Sequence, residues 1–191
     1  NVNITRNTIT NPFGGIPTST ATFNGIFING VDALAGFENK VINNRIYGLN
    51  GEGESNGLNN TGSDNVWYQH NTILMDGPGG TGTALTRGFF QTTLAAGIRF
   101  ENNIVSITRL GTGAKYATYH NTVTSDIFSD DNIYHLNSAA GNQFVGFYNA
   151  LAQATLLNWQ AISGDDPNSL TTNPIFQDAL TGNLRPTNAS V

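Results

Sequence analysis

Ile98-Arg99-Phe100-Glu101-Asn102-Asn103-Ile104-Val105 alternates apolar and polar residues like a strand, reaches an asparagine pair, and then resumes with apolar residues. Four other stretches carry the same phrase: Val2, Ile4, Arg6, Asn7, Ile9; Asn39, Val41, Asn43, Asn44, Ile46; Val66, Tyr68, His70, Asn71, Ile73; and Ile127, Ser129, Asp131, Asn132, Tyr134. The second position of the pair is asparagine in all five. From Asn7 through Asn44, Asn71 and Asn103 to Asn132 the numbering advances by 37, 27, 32 and 29, a loose period of the kind that marks stacked solenoid coils.

A glycine-opened or aromatic strand recurs at similar intervals upstream of each next phrase: Gly25-Ile26-Phe27-Ile28, Gly57-Leu58-Asn59, Gly88-Phe89-Phe90-Gln91, Tyr116-Ala117-Thr118-Tyr119 and Phe144-Val145-Gly146-Phe147. Two or three short strands per coil follow, joined by turn-rich pieces such as Asn11-Pro12-Phe13-Gly14-Gly15 and Asp76-Gly77-Pro78-Gly79-Gly80. An antiparallel sandwich would place each strand in a different environment and need no common phrase. In a parallel β-helix equivalent positions stack about 4.8 Å apart and share residue type. The phrases therefore predict an all-β parallel β-helix of about five coils over residues 1–149. Stacked amides of Asn7, Asn44, Asn71, Asn103 and Asn132 would form a ladder at one corner, where asparagine also tolerates a left-handed backbone.

Residues 150–191 read as a capping segment of the same domain. Thr155 to Ile162 is a short helix with Thr155 as N-cap and Gly164 beyond its end. Strands follow near Pro174-Ile175-Phe176 and Asn183-Leu184-Arg185-Pro186, and Phe144, Phe147 and Trp159 are expected to plug the last coil. The first coil carries no cap of its own, which predicts further coils or domains of a longer chain.

Composition narrows the partners. Only 11% of the 191 residues are charged, against roughly 25% in an ordinary domain, and about one in seven is Asn. Net charge is -5, with no Lys/Arg cluster, so nucleic acid is not expected as a partner. There is no Cys and no run of about 18 apolar residues, which leaves no disulfide, no thiolate metal site and no membrane-inserting helix.

The asparagine-pair coils, together with Asn158-Trp159-Gln160, Asp166-Pro167-Asn168-Ser169-Leu170, Asn173-Pro174-Ile175-Phe176 and Gly182-Asn183-Leu184-Arg185-Pro186, resemble secreted bacterial right-handed parallel β-helix proteins of the pectate-lyase-like superfamily. The resemblance covers essentially the whole chain. It implies a right-handed helix and a secreted or cell-surface setting, but no single activity, since that superfamily includes lyases, glycoside hydrolases, epimerases and surface proteins without a known reaction.

With the apolar positions of the phrase facing inward, the positions between them face outward as ladders. One is Asn3, Lys40, Trp67, Arg99, Phe128; beside it run Thr5, Ile42, Gln69, Glu101, Asp130 and the corner row Arg6, Asn43, His70, Asn102, Asp131. Lys40, Trp67, Gln69, Arg99 and Glu101 are the expected carbohydrate-binding residues, an indole for a sugar face flanked by charged and amide groups. Burial of Trp67 and Phe128 beneath loops is the competing reading. The resemblance also implies a lyase chemistry, with Lys40 or Arg99 as base and calcium held near Glu101, Asp130 and Asp131, but those carboxylates come from only two coils. Glu38, Asp64 and Glu101 are hydrolase candidates by inventory alone; His70, His120 and His135 stand apart, and Glu52-Gly53-Glu54 reads as a solvated loop. The expectation is a non-catalytic extracellular or cell-surface module binding a polysaccharide or surface glycan, with no required cofactor. A polysaccharide lyase or hydrolase and a structural spacer are the alternatives.

Overall fold

Each phrase forms two strands, because the chain turns sharply at the residue before the repeated asparagine. In the computed structural model, which describes residues 1–188, Arg6, Asn43, His70, Asn102 and Asp131 all have φ between 55° and 58°. The left-handed turn expected at the repeated asparagine thus falls one residue earlier. Asn and Asp tolerate it most readily, and Arg6 and His70 adopt it as well.

Three parallel sheets result. The first stacks Asn3–Thr5, Asn39–Ile42, Val66–Gln69, Ile98–Glu101 and Ile127–Asp130. The second stacks Thr8–Ile9, Arg45–Ile46, Thr72–Met75, Ile104–Ile107 and Ile133–Leu136. The third stacks Phe23–Asn29, Ser55–Thr61, Thr86–Thr92, Lys115–His120 and Gln143–Tyr148, and Leu151–Gln153 closes it antiparallel. Five rungs span about four turns of a parallel β-solenoid, slightly fewer than the five coils expected, since the count of phrases numbers rungs rather than the turns between them.

Parallel pairing without register shift brings like positions together. Ile9, Ile46, Ile73, Val105 and Tyr134 line one inward row, and Val41, Tyr68 and Phe100 line another. Phe89 of the third sheet meets Phe100 across the interior with centroids 4.6 Å apart and nearly parallel rings. Each such fully buried side chain contributes about 1.5–3 kcal/mol of transfer free energy. The interior is narrow: a Cβ at Gly88 would lie 2.3 Å from the Val105 side chain and 2.6 Å from the Ala117 carbonyl, so only glycine fits.

The repeated asparagines form the ladder at the turn between the first and second sheets. The backbone amides of Asn7, Asn44, Asn71 and Asn103 each donate to the Oδ1 of the next asparagine at 2.9–3.0 Å. The side-chain amides do the same, and those of Asn44, Asn71, Asn103 and Asn132 also donate to carbonyls of the preceding rung at 2.8–2.9 Å. Each corner thereby satisfies donors that burial would otherwise strand.

The C-terminal segment ends this ladder. Ser169 Oγ accepts from the Asn132 backbone amide at 2.8 Å, and Asp166 Oδ1 accepts from the Asn132 side chain at 3.0 Å. Asp166, fully buried, also receives the Tyr134 hydroxyl, the Ser169 hydroxyl and the Trp159 indole N–H at 2.7 Å. The helix Leu156–Ser163 presents Trp159, capped by Thr155 and by Gly164 in the left-handed region, as expected. Gly146 makes the room: a Cβ there would sit 2.0 Å from the Trp159 ring. Phe144 and Phe147 do not join this plug. They lie on the outer side of the third sheet, stacked on Tyr116 and Tyr119, because the alternation breaks at Val145 and Gly146, which both face inward and leave the residues on either side of them outward.

Candidate functional site

The outer face of the first sheet brings all five expected carbohydrate-binding residues together. Lys40, Trp67, Arg99 and Phe128 are direct register partners on successive rungs, as are Ile42, Gln69, Glu101 and Asp130. Lys40 Nζ lies 5.5 Å from the Trp67 ring centroid, and the Arg99 guanidinium lies 5.9 Å from Trp67 and 5.4 Å from Phe128. Cations and rings alternate up the face, each within cation–π range of its neighbour. Glu101 ties the second row to the first, accepting from Gln69 Nε2 at 2.9 Å and pairing with Arg99 at 3.5 Å. The Arg99 side chain is 48% exposed, Phe128 is 47% exposed, and Trp67 is half-buried by its flanking cations. Gly97, Ile98, Arg99, Asp126 and Phe128 line a depression of about 290 Å³ at the C-terminal end of this face.

The remaining candidates do other work. Asp130 is buried, its two oxygens each accepting from Asn168 at 2.8 Å, so it anchors the cap. Asp131 stays exposed at the corner. Glu38 Oε1 accepts from the Gly36 amide within its own turn, and Asp64 Oδ1 accepts from the Ala96 amide of the next coil, both at 2.7 Å. His70 is an exposed corner residue, and His135 Nδ1 lies 3.0 Å from Ser106 Oγ. His120 is enclosed by Phe89, Tyr148 and Trp159, and burial pushes its imidazole down to about 3, so it is neutral. Among the described residues no three His, Asp or Glu side chains group so as to hold a metal ion.

Sequence reasoning missed two arrangements. On the outer side of the third sheet, Arg87 stacks on Phe90 and Tyr119 at 4.2 and 4.6 Å and pairs with Glu54 at 2.7 Å. Glu54 is therefore an ion-pair partner rather than part of a solvated loop. Tyr119 and Phe147 stack at 4.1 Å and 5°, using each other's faces, so this aromatic array closes on itself. Aligning the third-sheet strands on their aromatic residues, Phe90 with Tyr119 and Phe147, would have shown it. The second arrangement is a pair of buried cations in carbonyl cages. Lys115 Nζ donates to the carbonyls of Gly111, Gly113 and Ala140 at 2.7–3.0 Å, and Arg109 donates to those of Gly51 and Gly53 and to Ser55 Oγ. They hold the stacked turn loops in place, and burial lowers the pKa of both.

A scan against protein-family models finds no match to this chain, and searches of the curated proteins and of the solved structures find none either.

Proposed function

We propose that this chain is a non-catalytic, extracellular or cell-surface β-solenoid module that binds carbohydrate through the outer face of its first sheet. The observation that carries the reading is the exposed ladder of Lys40, Trp67, Arg99 and Phe128, with Gln69 and Glu101 beside it. A flat parallel sheet repeats its outward positions about every 4.8 Å, so a linear polymer lying along it meets rings, cations and amides in a fixed rhythm. Rings supply apolar stacking surface while the charged and amide groups supply hydrogen bonds to hydroxyls. The parallel solenoid and its amide ladder also support a place among the secreted bacterial pectate-lyase-like proteins. A binding role fits better than a lyase role, because both candidate bases, Lys40 and Arg99, lie over Trp67 and Arg99 is tied to Glu101.

Glycan-array binding by the intact chain tests the proposal. Binding is expected to fall to background when Trp67→Ala and Arg99→Ala are combined, and an unchanged binding profile would remove the site from this face.

A further inference from the structure

Within the ladder the rings differ in what they leave open to a ligand. Trp67 is flanked by Lys40 on the preceding rung and Arg99 on the following one, and both cations lie over its ring. Phe128 stands on the last rung of the sheet, with Arg99 on one side and no further strand of that sheet among the described residues. Its ring is therefore the one that retains free face, and the depression opens beside it.

The polar groups at that depression are of both signs. Arg99 is its only basic residue, already shared with Glu101. Asp126 accepts the Gly97 amide through Oδ2 at 3.1 Å, and its Oδ1 has no partner among the described residues. Behind it the cap adds more acid: burial pushes Asp165 up to about 7, and the charges of Asp166, Asp130 and Asp126 add to that shift. An anionic sugar entering here would compete with Glu101 for Arg99 and face Asp126. A neutral one offers hydroxyls that accept from a guanidinium and donate to a carboxylate.

We infer that the ligand of this face is a neutral glycan, with one sugar residue seated in the depression on the Phe128 ring between Arg99 and Asp126. The inference rests on the carbohydrate-binding reading and names the ligand class for it. The depression, close to the lower end of the size range of small-molecule sites of about 300–1,000 Å³, suits a short stretch of such a chain. Trp67 then acts as a secondary contact further along the polymer.

Calorimetric titration of the intact chain with neutral oligomers of glucose, xylose, galactose and mannose, and with oligomers of galacturonate, tests this. A neutral oligomer is expected to bind and galacturonate is not. Phe128→Ala should weaken binding about tenfold, the loss of one good ring contact. Phe128→Tyr should keep binding, Asp126→Asn should weaken it, and Trp67→Ala should weaken it less than Phe128→Ala does. Thermal unfolding of each variant near the wild-type temperature shows that these losses are local. Galacturonate binding as tight as any neutral oligomer, and abolished by Arg99→Ala, would overturn the neutral class while leaving the carbohydrate reading intact. Binding indifferent to Phe128→Ala would overturn the seat. Failure of every oligomer, neutral and acidic, would remove both readings together.

Discussion

Two ladders run the length of this solenoid, one buried and one exposed, and they are built from positions four residues apart in the same phrase. The inner ladder of Asn7, Asn44, Asn71, Asn103 and Asn132 is a chain of hydrogen bonds that ends on Asp166 and Ser169. The outer ladder of Lys40, Trp67, Arg99 and Phe128 is held by longer cation–ring contacts and one loose ion pair. Burial makes the difference. A lost hydrogen bond inside leaves an unsatisfied amide away from water, whereas a lost contact outside is replaced by solvent. Stability should therefore reside in the first ladder and recognition in the second.

The strongest way to break that contrast is at the closure. Asp166→Ala leaves the Asn132 side chain, the Tyr134 hydroxyl and the Trp159 indole without their common acceptor, and should cost about 4 kcal/mol in denaturant unfolding. A loss below about 1 kcal/mol would mean that the ladder does not depend on its end.

A smaller effect sharpens the comparison along the inner ladder itself. Asn103→Ala removes bonds on both sides of a buried rung and should cost about 3 kcal/mol, while Asn7→Ala, at the exposed first rung, should cost less than about 1 kcal/mol. Equal losses at the two positions would argue against burial as the cause.

The interior near the cap should also answer to pH. His120 is depressed to about 3 by burial, so between about 6.5 and 3 the unfolded chain holds a proton that the folded one does not. Stability is lost there as pH falls, by up to about 1.4 kcal/mol per pH unit. Asp165, raised to about 7, works in the opposite sense: folding favours its protonated form, so its contribution is lost as pH rises from about 4 to 7. Over the shared window the two oppose each other. Unfolding free energies measured at several pH values should fall more steeply with acid in Asp165→Asn than in the wild type. Parallel pH profiles would contradict the assignment.

The smallest stability effect belongs to the outer ladder. Trp67→Ala, Arg99→Ala and Phe128→Ala should each change unfolding free energy by no more than about 0.5–1 kcal/mol while reducing glycan binding. A loss of several kcal/mol from Trp67→Ala would make its ring part of the scaffold.

Much of this architecture was legible in the chain. Five phrases with one constant asparagine announce stacked parallel rungs, and Thr155 with Gly164 brackets the helix through capping chemistry that depends only on local geometry. The outward row Lys40, Trp67, Arg99, Phe128 followed from strand alternation alone, because a side-chain period of two leaves no choice once the inward positions are known. Less legible were features set by neighbours distant in sequence. Glu54 reads as a loop acid until Arg87, one rung on, is placed above it. Phe144 and Phe147 read as core until Val145 takes the inward position and Trp159 fills the space over Gly146.

By itself, then, the sequence determined the period, the alternation and the residues on each row, since these follow from spacing along one chain. Only the tertiary structure decided which rows close on themselves and which stay open. The faces of Tyr119 and Phe147 are spent on each other, while the ring of Phe128 at the last rung keeps a free face beside Arg99 and Asp126. That outcome depends on where stacking stops and what the cap covers, and both are set by contacts between coils rather than by residues adjacent in the chain.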